Sequence, residues 1–436
     1  MDLLNGKIKS IYLKYFAAAF GSAFIASIYS LVDLAMVGHY HGPVGTAAMV
    51  VASPMWNILY SLGMLSGLGG AVLYSTEKGK GKSGNSVFTL SLLITAVFSL
   101  IAWIGLILFD TELMYLFGAT EENLELALMY VKPFKFAVPL LIFSQFLSAF
   151  LRNDNDPGLA TAAVLGGGIF NVFGDWLFVF ALDMGILGAG TASVTGMLVT
   201  DAIMCTHFFK KKNTLKLEKI SKPLKNTLSV IVTGAPSAFT DIAMGILNII
   251  FNHQIVRYLN GDALAVYAVI VNISTFVQCC AYSVGQASQP IISINYGASK
   301  PKRISEILRY ALISSAAFAL FWTAIVFIIP NGFTYLFMTP TDGVLKVAPS
   351  ILRTYSLSFL LLPFNIFATY YFQAVLKPGV SFIISLARGL VLSSALLILL
   401  PLISPSLLWY AMLVCEALTL IYVIVTMRST RMVAEK

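Results

Sequence analysis

Long apolar runs separated by short polar segments set the pattern of this chain. Runs of spanning length fall near 15–37, 47–74, 87–109, 126–150, 158–181 and 187–209, then near 228–256, 263–295, 306–329, 347–374, 379–401 and 405–427. About 20 apolar residues in a helix cross the roughly 30 Å hydrocarbon core of a bilayer. The pattern therefore predicts twelve transmembrane helices and an all-α membrane protein. The polar segments carry the orientation. With the N-terminus inside, the inside segments hold 22 of the 28 Lys and Arg, among them Lys7, Lys78, Arg152, Lys210, Lys222, Lys300, Lys377, Arg431 and Lys436. The segment after the third helix instead holds Asp110, Glu112, Glu121 and Glu122. Cations gather on the cytoplasmic side of membrane proteins, so both termini are expected in the cytoplasm of a cell-membrane protein.

The pattern also repeats across the midpoint. Tyr60-Ser61-Leu62-Gly63 returns as Tyr282-Ser283-Val284-Gly285, and Tyr74, Lys78 and Lys80 return as Tyr296, Lys300 and Lys302, all at an offset of 222. Tyr115-Leu116-Phe117 returns as Tyr335-Leu336-Phe337, and Pro157-Gly158 as Pro378-Gly379, at offsets of 220 and 221. The ordered series predicts two homologous six-helix lobes, 1–209 and 226–436, joined by a lysine-rich linker, 210–225. Six is an even number, so both lobes enter the membrane from the same side. Parallel repeats of that kind are a transporter architecture with a midplane substrate site at the lobe interface.

Composition narrows the class. The chain is 58% hydrophobic and 11% charged over 436 residues, more apolar surface than a soluble protein can bury. Its four cysteines, Cys205, Cys279, Cys280 and Cys415, lie in apolar segments without CxxC spacing, which points away from metal knuckles and disulfides. No HExxH or GxSxG motif is present, and no glycine-rich stretch follows a strand in a βαβ unit, so neither an enzyme nor a nucleotide-binding protein is expected. The net charge of +8 belongs to the inside loops and not to a nucleic-acid surface. The first apolar run is long enough to span, so it is read as a helix and not as a cleaved leader.

Polar residues inside apolar runs are the candidate chemistry, because a carboxylate at the bilayer centre costs roughly 2.5–3.5 kcal/mol on insertion scales. Asp33 lies in the first helix. Asn171 and Asp175 lie four residues apart in the fifth, on one helical face. Asp241 and Asn248 in the seventh helix, Gln278 and Tyr282 in the eighth, Asn365 and Tyr370 in the tenth, and Arg388 in the eleventh are candidates for a substrate cavity. Met55 and Met64 would give it a soft wall. Asp201 and Glu416 lie nearer the cytoplasmic ends of helices six and twelve, where water or a neighbouring helix would satisfy them. His39 and His41 flank the first outside turn with an HxH spacing, too few ligands on a loop for a metal.

Several of these residues together resemble the multidrug and toxic compound extrusion (MATE) family. They are Val32-Asp33 with Met36-Val37-Gly38, Leu151-Arg152-Asn153 with Pro157, Asn171 with Asp175, and Met184-Gly185-Ile186-Leu187-Gly188-Ala189. The Arg152-Asn153-Asp154 form of the loop looks most like the branch that holds a staphylococcal multidrug exporter. The resemblance covers nearly the whole chain. It implies an antiporter that exchanges inward-moving protons or sodium ions for outward-moving organic, often cationic and lipophilic, drugs or metabolites. It implies no cofactor beyond that coupling ion and no nucleotide, and the chain is read as a monomer. In the family the first-helix aspartate and the fifth-helix Asn and Asp form a cation site, which carries over to Asp33, Asn171 and Asp175 with a hydroxyl from Thr191 or Thr195. Many relatives have a proline in the first half of helix one, where this chain reads Phe16-Ala17-Ala18-Ala19-Phe20; Pro236 in helix seven is retained. Two other readings are a lipid-linked oligosaccharide flippase of the same superfamily, which would need a cationic cavity, and a passive channel.

Overall fold

Residues 2–220 and 223–434 are described by the computed structural model, without the side chains of Ser30, Pro43, Asp241 and residues 429–434. Lys222, Lys436 and the side chains of Asp241 and Arg431 thus lie outside the described residues. Among the described residues there is no strand. The long helices are α1 (Ile8–Gly42), α2 (Val44–Gly79), α3 (Asn85–Leu108), α4 (Leu124–Asn153), α5 (Pro157–Ala181) and α6 (Gly185–Phe209). They continue with α7 (Pro223–Tyr258), α8 (Gly261–Gly297), α9 (Pro301–Ile328), α10 (Asp342–Ala374), α11 (Pro378–Ile403) and α12 (Pro405–Arg428). Eleven of them are singly long and apolar enough to cross a membrane; α4 makes the twelfth when its halves, Leu124–Phe136 and Val138–Asn153, count as one span. Those halves meet at 63° around Ala137, between Pro133 and Pro139, where missing N–H groups and ring clashes break the helical ladder. Short helices at Asp110–Leu116 and Pro330–Phe337 join α3 to α4 and α9 to α10.

By its internal contacts the chain forms two compact units. The first comprises Met1–Ala238 and Pro290–Pro301, that is, α1 to α6, the start of α7 and the end of α8. The second comprises Phe239–Gln289 and Lys302–Lys436. In the first unit α5 packs along α6 and against α1. The contact with α6 is close because Gly167 faces it: a Cβ there would fall 1.9 Å from Thr200 Oγ1 and 2.5 Å from the Gly196 carbonyl oxygen. The Gly63–Gly67 stretch likewise brings α2 onto α4, where a Cβ at Gly67 would sit 2.7 Å from Phe146 Cα. Small residues that let backbones approach are the usual means of helix association in lipid, where burial of apolar surface supplies little drive.

α1 and α2 are nearly continuous. Only Gly42, with φ of 64°, interrupts them, a left-handed conformation that glycine adopts at no steric cost. The first half of the basic linker is fixed on the first unit: Thr214 N–H donates to Asp154, Lys216 N–H to Asn85 and Glu218 N–H to Thr89. Thr214 there joins an ionic cluster in which His207 places its ring nitrogens against Asp154 (2.8 Å) and Asp156 (3.1 Å). Lys78 reaches Asp154 at 3.1 Å, and Lys212 reaches Asp156 at 2.6 Å.

Candidate functional site

The first unit gathers its buried polar groups where α1, α4, α5 and α6 meet. Asp33 on α1, Asn171 and Asp175 on α5, and Ser193 on α6 are all buried. Asn171 Nδ2 donates to Ser193 Oγ at 3.3 Å, and Ser193 Oγ donates in turn to Asp33 Oδ2 at 3.4 Å. The carboxyl groups of Asp33 and Asp175 lie within reach of each other, and Tyr130 from α4 lies beside both. Among the described residues, four oxygens in this group receive no hydrogen bond: Asp33 Oδ1, Asn171 Oδ1 and both oxygens of Asp175. Asp175 is 0% exposed. Buried polar atoms are almost always satisfied, and a buried carboxylate pair with no Lys or Arg against it among the described residues calls for a proton or a cation.

Local chain geometry aims Asp175 into this place. Regular α-helix runs from Pro157 to Gly174, and a wider π-helical segment, Asp175–Ala181, begins at the aspartate itself. Such segments are rare and recur at functional positions. The second unit has a matching feature, a π segment at Ala387–Val391 that carries Arg388.

Three of the five residues anticipated for the cation site, Asp33, Asn171 and Asp175, are brought together. Thr191 and Thr195 face their own backbone instead, donating to the carbonyls of Leu187 and of Thr191 and Ala192. The α6 hydroxyl that joins Asp33 to Asn171 is Ser193, between those threonines in sequence and on another face of the helix. Ser193 and Tyr130 escaped the sequence reading, since neither carries a charge and only the packing of α1, α4 and α5 shows where they point.

The cavity candidates separate into several surroundings. Met55 is buried in an apolar core with Val51, Leu59 and Tyr130, and Met64 is buried nearby on α2. Asn248 accepts a hydrogen bond from Tyr267 Oη at 3.0 Å, and Gln278 is half-buried. The side chain of Asp241 is outside the described residues. Tyr282 and Tyr370 place their rings edge to face, 6.4 Å apart. Arg388 is committed to Glu416: Nε lies 2.9 and 3.0 Å from its two carboxylate oxygens and Nη2 lies 2.9 Å from Oε1. Asn365 Nδ2 donates to Glu416 Oε2 at 2.6 Å, which completes a buried polar triad. His39 and His41 lie in the last turn of α1 and not in a loop; His41 accepts from Ile186 N–H at 3.0 Å and Tyr40 donates to Asp183, so the end of α1 braces the α5–α6 turn. His39 is exposed.

The chain as a whole is similar to known proteins. The MatE family model matches residues 18–177 and 236–399. The multidrug export protein MepA of Staphylococcus aureus is 23% identical over 398 residues, 90% of this chain and 88% of its own length. MepA of Staphylococcus saprophyticus is 20% identical over 380 residues, 86% and 83% of the two chains. Among solved structures, the outward-facing conformation of a multidrug resistance MATE family transporter of the MOP superfamily superposes with a TM-score of 0.90 at 20% identity, covering 99% of this chain and 97% of the other. A MOP superfamily transporter from Pyrococcus furiosus, whose binding pocket is described as having reverse polarity that suggests a different function, gives 0.92 at 20% identity over 100% and 98%.

Proposed function

Because the chain belongs to the MATE family of multi-pass membrane transporters, we propose that it is a cation-coupled antiporter that exports organic, often cationic, small molecules and transforms none of them. The coupling site is Asp33, Asn171 and Asp175 with the hydroxyl of Ser193. The observation that carries this reading is the set of four buried carboxylate and amide oxygens there that receive no hydrogen bond among the described residues. One proton shared between Asp33 and Asp175 would supply a donor and cancel a charge. Sodium would be held by the same carboxylates with the Asn171 and Ser193 oxygens, a hard-cation donor set. Both termini lie in the cytoplasm, an ion gradient and not a nucleotide supplies the energy, and the protein works as a monomer by alternating access.

In this mechanism the first unit takes the ion at the carboxylate pair from outside. Neutralising the pair removes the repulsion across α1 and α5, and these helices repack. The rearranged unit holds substrate less tightly, so substrate leaves outward. Release of the ion to the cytoplasm restores the charged pair and the substrate-binding state. The two lobes, 1–209 and 226–436, act as the moving halves.

The flippase reading required a cationic cavity; Arg388, its candidate cation, is neutralised by Glu416. Efflux of a fluorescent lipophilic cation from proteoliposomes under an imposed proton or sodium gradient tests the reading. Uphill efflux driven by one gradient is expected and names the ion. Downhill movement alone, whichever gradient is imposed, would establish a passive channel.

A further inference from the structure

Asp201 is the one buried carboxylate of α6, and the coupling site described above does not use it. It is 8% exposed. Its partner is the Ser144 hydroxyl of α4, which donates to Oδ1. Among the described residues no Lys, Arg or His lies against it; the one titratable neighbour is Cys205, a turn further along α6. A carboxylate held in a membrane interior by a single hydroxyl marks an ion or proton path by default.

The second unit shows what a structural carboxylate looks like in the same construction. Its last helix also carries a buried acid, Glu416, and that acid has Arg388 on two faces and Asn365 on a third. Asn365 and Ser144 occupy the same place in the internal repeat, at the offset of 221 that relates Pro378-Gly379 to Pro157-Gly158. At that offset the counterpart of Arg388 is Gly167. Gly167 faces Thr200 and the Gly196 carbonyl so closely that not even a Cβ fits. At the same offset Glu416 answers to Thr195 and not to Asp201, so the comparison concerns one position of the helix contact: where the second unit has the Arg388 cation, the first has no room for a side chain.

Position gives this unpaired acid a task. Ser193, at the coupling site, and Asp201 are eight residues apart on α6, about 12 Å along the helix axis. His207, in the ionic cluster with Asp154, Asp156 and the partly exposed Lys210 and Lys212, is about 9 Å further on.

We propose that Asp201 is a second proton-binding residue, the station between the Asp33–Asp175 pair and the cytoplasmic end of α6. This rests on the antiporter reading with the proton as coupling ion. On release, the O–H bond of the protonated Asp33–Asp175 pair breaks and leaves a carboxylate there. The proton passes through intervening water to the Asp201 carboxylate, which becomes a neutral acid hydrogen-bonded to Ser144, and then leaves towards the cytoplasm. No other bond changes. Ser144 is a positioning residue: its hydroxyl stabilises the charged form of Asp201.

The test is proteoliposome efflux of ethidium under an imposed pH gradient, with proton entry followed by a pH-sensitive dye, in wild type, Asp201→Asn, Asp201→Glu, Ser144→Ala and the surface control Glu112→Gln. Asp201→Asn should slow both ethidium efflux and proton entry on the order of a hundredfold, the lower end of what a positioned proton-transfer group contributes. Asp201→Glu should recover most of both, Ser144→Ala should displace the pH profile, and Glu112→Gln should match wild type. Thermal unfolding checks that each variant is folded; if Asp201→Asn is not, Asp201→Glu and the Ser144→Ala pH profile carry the decision. Wild-type rates in Asp201→Asn, or an unmoved profile in Ser144→Ala, would overturn the proposal while leaving the antiporter intact. Wild type that responds only to sodium, or to no gradient, would overturn the proton reading and this proposal with it.

Discussion

Replacing Arg388 by Met separates a structural cation from a substrate contact. In the structure Arg388 and Glu416 share three contacts of 2.9–3.0 Å, and Glu416 is 0% exposed. Removing the guanidinium leaves a buried carboxylate with the Asn365 amide as its remaining side-chain donor. Breaking a buried pair from one side costs about 3–5 kcal/mol, whereas replacing both partners by apolar side chains of similar volume is often close to neutral. For a unit of this size each kcal/mol moves Tm by about 2–4 °C. Arg388→Met should therefore unfold roughly 6–20 °C lower, and Arg388→Met/Glu416→Leu should regain most of that loss, a coupling of about 2 kcal/mol or more. The chain carries its own reporter: Cys279, Cys280 and Cys415 are buried and react with a thiol-sensitive fluorophore on unfolding, once the exposed Cys205 is changed to Ser. A shift below about 2 °C for the single variant, or a double variant no more stable than the worse single, would refute the reasoning. An unmoved Tm with lost transport would make Arg388 a substrate residue.

Other perturbations give graded outcomes. Ser193→Ala removes two hydrogen bonds of 3.3 and 3.4 Å, each at the long end. At about 0.5–1.5 kcal/mol net it should weaken the apparent affinity for the coupling ion about two- to tenfold, whereas Thr191→Val and Thr195→Val stay within about twofold; the reverse order in ion titrations of transport would contradict the site. Gly167→Ala forces a Cβ against Thr200 and the Gly196 carbonyl, so Tm should fall by the equivalent of about 1–3 kcal/mol, and Thr200→Ala should relieve only part of it, because the carbonyl remains. Burial alone would push the Asp154 carboxyl up, but hydrogen bonds from His207 and Thr214 and the charge of Lys78 outweigh it and hold Asp154 below the usual carboxylate range. That contribution is complete above the unfolded value of about 3.9 and is lost as pH falls through the folded one, so Tm should hold down to pH of about 4 and drop below it. His207→Gln should lower Tm at neutral pH and shrink the acid-induced drop; a pH-independent wild-type Tm would sink the argument.

The spans were legible because hydrocarbon imposes length and apolarity on any helix that crosses it. Their ends were less so. α1 and α2 continue well past the apolar runs at 15–37 and 47–74 and almost join at Gly42, because polar residues outside hydrocarbon remain helical without leaving an apolar trace. The 63° bend in α4 lay within one predicted span, where Lys132 and Lys135 with Pro133 and Pro139 were its trace in the sequence. Asp33, Asn171 and Asp175 stood out because charge and amide in an apolar run are costly. Ser193 did not, because a hydroxyl costs little in a helix, and which face of α6 turns to α1 is set by contacts remote in sequence. The likeness of Asp201 and Glu416 in the sequence hid a difference that only packing reveals: among the described residues Glu416 is paired with Arg388, and Asp201 meets the Ser144 hydroxyl.

The central claim is that the buried pair of Asp33 and Asp175 couples an ion gradient to export. The direct measurement is simultaneous recording of ethidium efflux and coupling-ion entry in proteoliposomes of wild type, Asp33→Asn and Asp175→Asn, each matched for thermal stability. Wild type should move ethidium uphill with ion entry, and each substitution should abolish both together. Undiminished uphill efflux in both variants would contradict the account.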